Sequence, residues 1–188
     1  MSESFEHLMV RAEQLISRIE ATLPQALSEP DWTASVAFRY RKRGSGRGTL
    51  EPVKHVGAMR LSDLKEIDAQ KEKIDSNTSQ FVGGRLANNV LLTGARGTGK
   101  SSLIRACLHE YADRGLRLIE VDKADLVDLP DIVDLVADRI ERFIVFCDDL
   151  SFEDGEPGYK ALKSILDGSV AATTPNVLIY ATSNRRHL

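Results

Sequence analysis

The chain has 188 residues, 42% hydrophobic and 28% charged, with a formal net charge of −3, a composition that describes an ordinary globular protein with enough apolar residues to bury a core. No apolar run approaches the about 18 residues of a membrane span, and the N-terminus MSESFEHLMV carries acids where a signal peptide is basic, so the expectation is a soluble, cytoplasmic protein with no membrane partner. Cys107 and Cys147 are too few for a disulfide scaffold and have no zinc-ligand spacing with a histidine; both read as reduced core thiols.

In chain order, Phe5, Leu8, Met9, Ala12, Leu15, Ile16, Ile19 and Leu23 recur at steps of three and four before Pro24. That spacing predicts an amphipathic helix over 5–23. Irregular structure follows through Pro30, Trp32 and Pro52, with a short strand at 36–40. Within it, Arg39–Gly48 (RYRKRGSGRG) holds five cations and three glycines. This basic stretch reads first as a solvated loop, and a nucleic-acid contact through Arg39–Arg47 is the alternative. The overall charge adds nothing for such a partner, because residues 1–80 balance 12 Lys/Arg with 12 Asp/Glu and residues 81–188 set 13 against 16. Residues 1–60 form an N-terminal extension, and residues 61–188 form the second unit.

Near residue 88 the texture changes to short apolar runs: 89–93 (NVLLT), 116–121 (LRLIEV), 143–147 (FIVFC) and 177–182 (VLIYAT). Near-continuous apolar runs suit strands buried on both faces. Between them, 101–114, 130–142 and 159–166 suit helices. Strand and helix in alternation imply right-handed crossovers, hence an α/β fold with a parallel sheet between two helical layers. Ligands in such sheets bind beyond the C-terminal strand ends.

Directly after the first of these strands stands Gly94-Ala95-Arg96-Gly97-Thr98-Gly99-Lys100-Ser101, a full match to G-x-x-x-x-G-K-[ST] in the required context of strand before and helix after. The glycines let successive backbone N–H groups face one centre, and the helix start adds its positive end, so the loop is a phosphate cradle. Lys100 is placed for the β and γ phosphates and Ser101 for Mg²⁺. A phosphate-bound Mg²⁺ needs an acid at a neighbouring strand end, and 143–149 (FIVFCDD) supplies Asp148 for the metal and Asp149 for the attacking water. The fourth run ends at Thr182-Ser183-Asn184. Asn184 becomes a second water-positioning group if the fourth strand lies between the first and the third.

Together these elements resemble the AAA+ branch of the P-loop ATPases: GARGTGKS looks like Walker A, FIVFCDD like Walker B and ATSN like the sensor-1 strand. Residues 61–89, with Lys71 and Phe81 near Gly83-Gly84, look like the linker before an AAA+ core. RGTGKSSLIRA, FCDDLSFEDG and YATSNRRHL resemble, more narrowly, an uncharacterised bacterial AAA+ family. The resemblance implies a three-layer αβα P-loop NTPase core over 61–188, ATP and Mg²⁺ as ligands, Mg-dependent ATP hydrolysis, and homo-oligomers through AAA+ surfaces. In two respects the sequence departs from the pattern. Asp149 stands where AAA+ enzymes usually have Glu, and Glu153 is a weaker substitute. The sequence also ends at Leu188, before the usual arginine finger and helical lid, so the expectation is a partial core without the lid that binds ATP better than it hydrolyses it. Arg185 and Arg186 come too early for that finger.

Other readings fit less well. Asp122-Lys123-Ala124-Asp125 imitates a GTPase [NT]KxD, but it precedes the acidic strand end and no D-x-x-G follows Lys100. The loop after the second run has no aromatic residue, which argues against polymer threading. The non-enzyme alternative is a nucleotide-dependent binding or loader-type module with negligible turnover.

Overall fold

A computed structural model of the chain describes residues 2–20, 27–42, 48–151, 157–166 and 174–184. Its elements are α1 (Ser2–Glu20), β1 (Ala37–Arg41), β2 (Thr49–Pro52), α2 (Asp68–Val82), β3 (Val90–Thr93), α3 (Lys100–Tyr111), β4 (Leu116–Glu120), α4 (Leu129–Val136), β5 (Arg142–Cys147), α5 (Pro157–Leu166) and β6 (Val177–Ser183). The strands form one sheet in the order β2-β1-β4-β5-β6-β3. Every neighbouring pair is parallel except β1 with β2. The fourth apolar run, β6, lies between β5 and β3, which is the order that carries Asn184 toward the loop after β3.

Strand β5 shows why its run is almost wholly apolar. Phe143, Val145 and Cys147 join the core on one face, with α4, α5 and the 3-10 turn Lys123–Asp128, whereas Ile144 and Phe146 join Leu103, Ile104 and Leu108 of α3 on the other. Alternate side chains point to opposite faces, so a central strand covered by helices on both sides has no polar face. The result is the expected three-layer αβα sandwich.

The strand expected at 36–40 is present as β1, and it is part of the main sheet. Ala37, Phe38 and Arg39 pair in parallel with Leu118, Ile119 and Glu120, and β2 pairs back onto β1. The stretch read as irregular thus extends the parallel sheet by a hairpin. Its described cations are each matched: Arg39 to Glu120 at 2.8 Å, Lys42 to Asp128 at 2.9 Å and Arg41 to Glu51 at 3.5 Å. Tyr40 Oη donates to Asp128 and accepts the Gly48 N–H; a Cβ on Gly48 would lie 2.2 Å from the Tyr40 ring, so only glycine fits there. Residues 43–47, the rest of the basic stretch, lie outside the described residues.

All four expected helices differ in their bounds from the periodicity reading, α5 only by starting at Pro157. α1 starts three residues earlier and carries an exposed apolar stripe that includes Phe5, Leu8, Leu15 and Ile16; residues 21–26 are not described. α3 ends at Tyr111, after which a 3-10 turn, Ala112–Arg114, stops at the left-handed Gly115 (φ 90°). α4 stops at Val136 rather than running to 142, because Arg142 already pairs with Leu116 in the sheet. In the turn that follows, Asn176 Nδ2 donates to Val136 O, the last carbonyl of α4, which also accepts the Arg139 N–H, and to Arg139 O, with Glu141 O 3.5 Å away. Among the described residues no helix is long and apolar enough to cross a membrane.

Candidate nucleotide site

At the C-terminal edge of the sheet the chain leaves β3 through the glycine loop. Gly97 and Gly99 both take φ 82°, a left-handed backbone that glycine adopts without strain. Gly99 is the N-cap of α3, and the Leu103 N–H donates to Gly99 O to start the helix. Ile67, at the entry to α2, lies beside this turn, its Cδ1 3.8 Å from where a Gly99 Cβ would stand. Thr98 Oγ1 donates across the loop to Ala95 O at 2.9 Å. Arg96, Gly97 and Thr98 are exposed, whereas Gly94, Gly99, Lys100 and Ser101 are partly covered.

Two adjacent residues at the start of α3 reach inward. Lys100 Nζ donates to Gly94 O at 2.9 Å, Ala95 O at 2.8 Å and Asn184 Oδ1 at 3.1 Å. Ser101 Oγ donates to Asp148 Oδ1 at 2.6 Å. The same Asp148 oxygen accepts Thr182 Oγ1 at 2.5 Å. Beside it, Asp149 has φ 54°. Its N–H donates to Thr182 Oγ1 at 2.9 Å and its Oδ1 accepts Asn184 Nδ2 at 2.7 Å. Gly94 N–H donates to Ser183 O, which ties the loop to β6.

All the residues singled out as a site, Gly94 to Ser101, Asp148, Asp149 and Asn184, therefore meet at one sheet edge. Arg185, Arg186 and Glu153 lie outside the described residues. Three contributors escaped the sequence reading. Ile67 belongs to a stretch without periodic signal. Arg105, one turn beyond Ser101, lends its charge to Asp148. Thr182 is a hydroxyl in an apolar run, and its separation of two from Asn184, which puts both on one strand face, was the available signal.

Burial on its own would push the Asp148 carboxyl up. Hydrogen bonds from Ser101 and Thr182, the nearby Arg105 guanidinium and the Asp149 amide outweigh it and hold the carboxyl below its ordinary value. It is thus a carboxylate at neutral pH. Ser101 and Asp148 form a pair of oxygen donors suited to a hard cation such as Mg²⁺, whose octahedron is normally completed by water and phosphate oxygens. Beside them the loop and Lys100 offer backbone N–H groups and a positive charge, the chemistry of a polyphosphate site. The residues present fit Mg²⁺ and a nucleotide.

A parallel sheet with this strand order, a glycine loop at the start of α3 and acids at the next strand end but one define the AAA+ type of P-loop NTPase fold. ORC1 from Aeropyrum pernix, solved in complex with DNA, is similar at a TM-score of 0.51 and 15% identity, over 64% of this chain and 39% of that one. AMPPCP-bound DnaA from Aquifex aeolicus gives a TM-score of 0.48 at 19% identity, over 67% of this chain and 42% of that one. The chain spans about two fifths of the length of these structures. Residues 33–188 match the family described as protein of unknown function DUF815, and the chain belongs to that family. No curated protein matches it in sequence.

Proposed function

We propose that this protein binds ATP with Mg²⁺ through Gly94–Ser101 and hydrolyses it. The observation that carries the reading is the convergence of Lys100 and Ser101, neighbours on α3, with Asn184 and Asp148 from just beyond the ends of β6 and β5, at 3.1 and 2.6 Å. In this reading the backbone N–H groups of the loop and Lys100 Nζ bind the β and γ phosphates, and Ser101 Oγ with Asp148 holds the metal. Mg²⁺ held there would neutralise phosphate charge, one of the electrostatic contributions to phosphoryl transfer. Asp149 accepts a proton from the attacking water, and Asn184 orients that water. The experiment is calorimetric titration of the full chain with ATP, with and without Mg²⁺, followed by phosphate release. Saturable Mg-dependent binding supports the reading, and no binding contradicts it.

One observation favours a second reading, a nucleotide-dependent binding module with negligible turnover. Asp149 is one methylene shorter than glutamate, and Asn184 already engages its Oδ1. Binding without phosphate release would select it. A polyanion contact through 39–47 belongs to the same reading, although Arg39, Arg41 and Lys42 already have carboxylate partners.

A further inference from the structure

Strand β6 is apolar from Val177 to Ala181 and then places a hydroxyl at Thr182, which is 1% exposed. A hydroxyl this deeply buried needs partners for both its donor and its acceptor capacity. It finds them on two consecutive residues of the neighbouring chain segment: Oγ1 donates to Asp148 Oδ1 and accepts the Asp149 N–H. The Thr182 main-chain oxygen takes the next amide, that of Leu150, at 2.7 Å. One residue therefore fastens three successive residues as β5 leaves the sheet.

In a continuing strand, adjacent carboxylates would point to opposite faces. Here the left-handed backbone at Asp149 (φ 54°) breaks that alternation, and such a backbone persists in a residue with a Cβ only when its surroundings hold it. Asp148 then faces Ser101 on α3, and Asp149 faces Asn184. We infer that Thr182 is a positioning residue that assigns the two adjacent carboxylates their separate tasks, holding Asp148 toward the metal-side hydroxyl of Ser101 and fixing the turn that aims Asp149 at Asn184. It acts through these two acids and touches neither nucleotide nor metal. The inference rests on the Mg-nucleotide reading above.

The test compares Thr182→Val, which keeps the shape and deletes the hydroxyl, with Thr182→Ser, which keeps the hydroxyl. Both are made in the full chain, and ATP affinity is titrated against Mg²⁺ concentration alongside phosphate release. Loss of a group that orients a metal ligand costs about 10- to 100-fold in metal affinity or activity. The valine variant should need that much more Mg²⁺ for half-maximal ATP binding, with Mg-free ATP affinity unchanged, and serine should restore the parental midpoint. A valine variant with the parental Mg²⁺ midpoint and turnover overturns the inference and leaves the nucleotide reading standing. A parent that binds no Mg-ATP overturns that reading, and the inference with it. Should the valine variant not fold, hydrogen exchange at the Asp149 amide of the parent decides. Slowed exchange that tightens further with Mg-ATP supports the role, and exchange at the rate of a free amide overturns it.

Discussion

Asn184 Oδ1 accepts a hydrogen bond from Lys100 Nζ at 3.1 Å across 84 residues of sequence, while its Nδ2 donates to Asp149 Oδ1 at 2.7 Å. The amide can be oriented in only one way, because an ammonium only donates and a carboxylate only accepts. Asn184 thus connects the cation of the glycine loop to the second acid of β5, and it can do so because β6 is inserted between β3 and β5. In the proposed function, a change at the phosphate-binding lysine reaches the acid through this one side chain.

The two neighbouring acids should separate in their effects. Asp149→Asn should keep nucleotide affinity and lower turnover by about 10² or more, the scale of a lost general base. Asp148→Asn should weaken the response of ATP binding to Mg²⁺, because it removes the charged partner of Ser101. Phosphate release and Mg²⁺ titration of both variants check this. Equal effects of the two substitutions on both readouts would contradict the separation.

Both cysteines should resist thiol reagents in the folded protein. Cys107 and Cys147 are fully buried, and burial pushes each thiol up to about 12, so the reactive thiolate is scarce at neutral pH. Labelling with a thiol-specific chromogenic reagent should be slow in buffer and reach both residues in denaturant. Rapid labelling of the native protein would contradict the packing of α3 and β5.

Asn176 is a stability hot spot remote from the site. Its side chain is buried and Nδ2 donates to Val136 O at the end of α4 and to Arg139 O in the turn that follows. Asn176→Ala takes the side-chain donor from Arg139 O, while Val136 O keeps the Arg139 N–H, and should cost about 1–3 kcal/mol, lowering the melting temperature by about 2–4 °C per kcal/mol. Thermal unfolding measures this, and an unchanged melting temperature would contradict it.

Acid should weaken the turn between α4 and β5. Hydrogen bonds from Arg139 hold the Glu141 carboxyl below its usual value against the opposing effect of burial. A carboxyl lowered by folding binds fewer protons in the native state, so stability rises with pH. The contribution is complete above the unfolded glutamate value of about 4.3 and is lost as pH falls through the lowered native value. Glu141→Gln should flatten the acid limb of the stability profile, and an unchanged slope there would contradict this.

What could be read from sequence depended on how local each signal is. The glycine loop and the four apolar runs are contiguous in sequence, so both the turn after β3 and the core sheet were legible. The insertion of β6 was legible as well, because only that order brings Asn184 to Lys100. The hairpin β1–β2 was harder to foresee, since the pairing of Ala37 with Leu118 spans a loop of 80 residues and leaves no periodic trace. The charge run hid its own neutralisation: Arg39 and Lys42 find Glu120 and Asp128 only after the sheet forms. The early end of α4 was invisible because the side chain that caps its last carbonyl, Asn176, lies 40 residues away from Val136. Thr182 looked like one more β-branched strand residue until its hydroxyl partners were placed.

The most direct test of the central claim is ATP affinity in the presence of Mg²⁺, measured by calorimetry for the parent and for Lys100→Ala. Among the described residues Lys100 Nζ is the one side-chain cation placed on the loop carbonyls and Asn184 together, and a charged hydrogen bond to phosphate is worth about 1.5–3 kcal/mol. Saturable binding by the parent and a loss of about 10- to 100-fold in the variant are expected. Equal affinities in the two proteins, or no binding by the parent, would contradict the central claim.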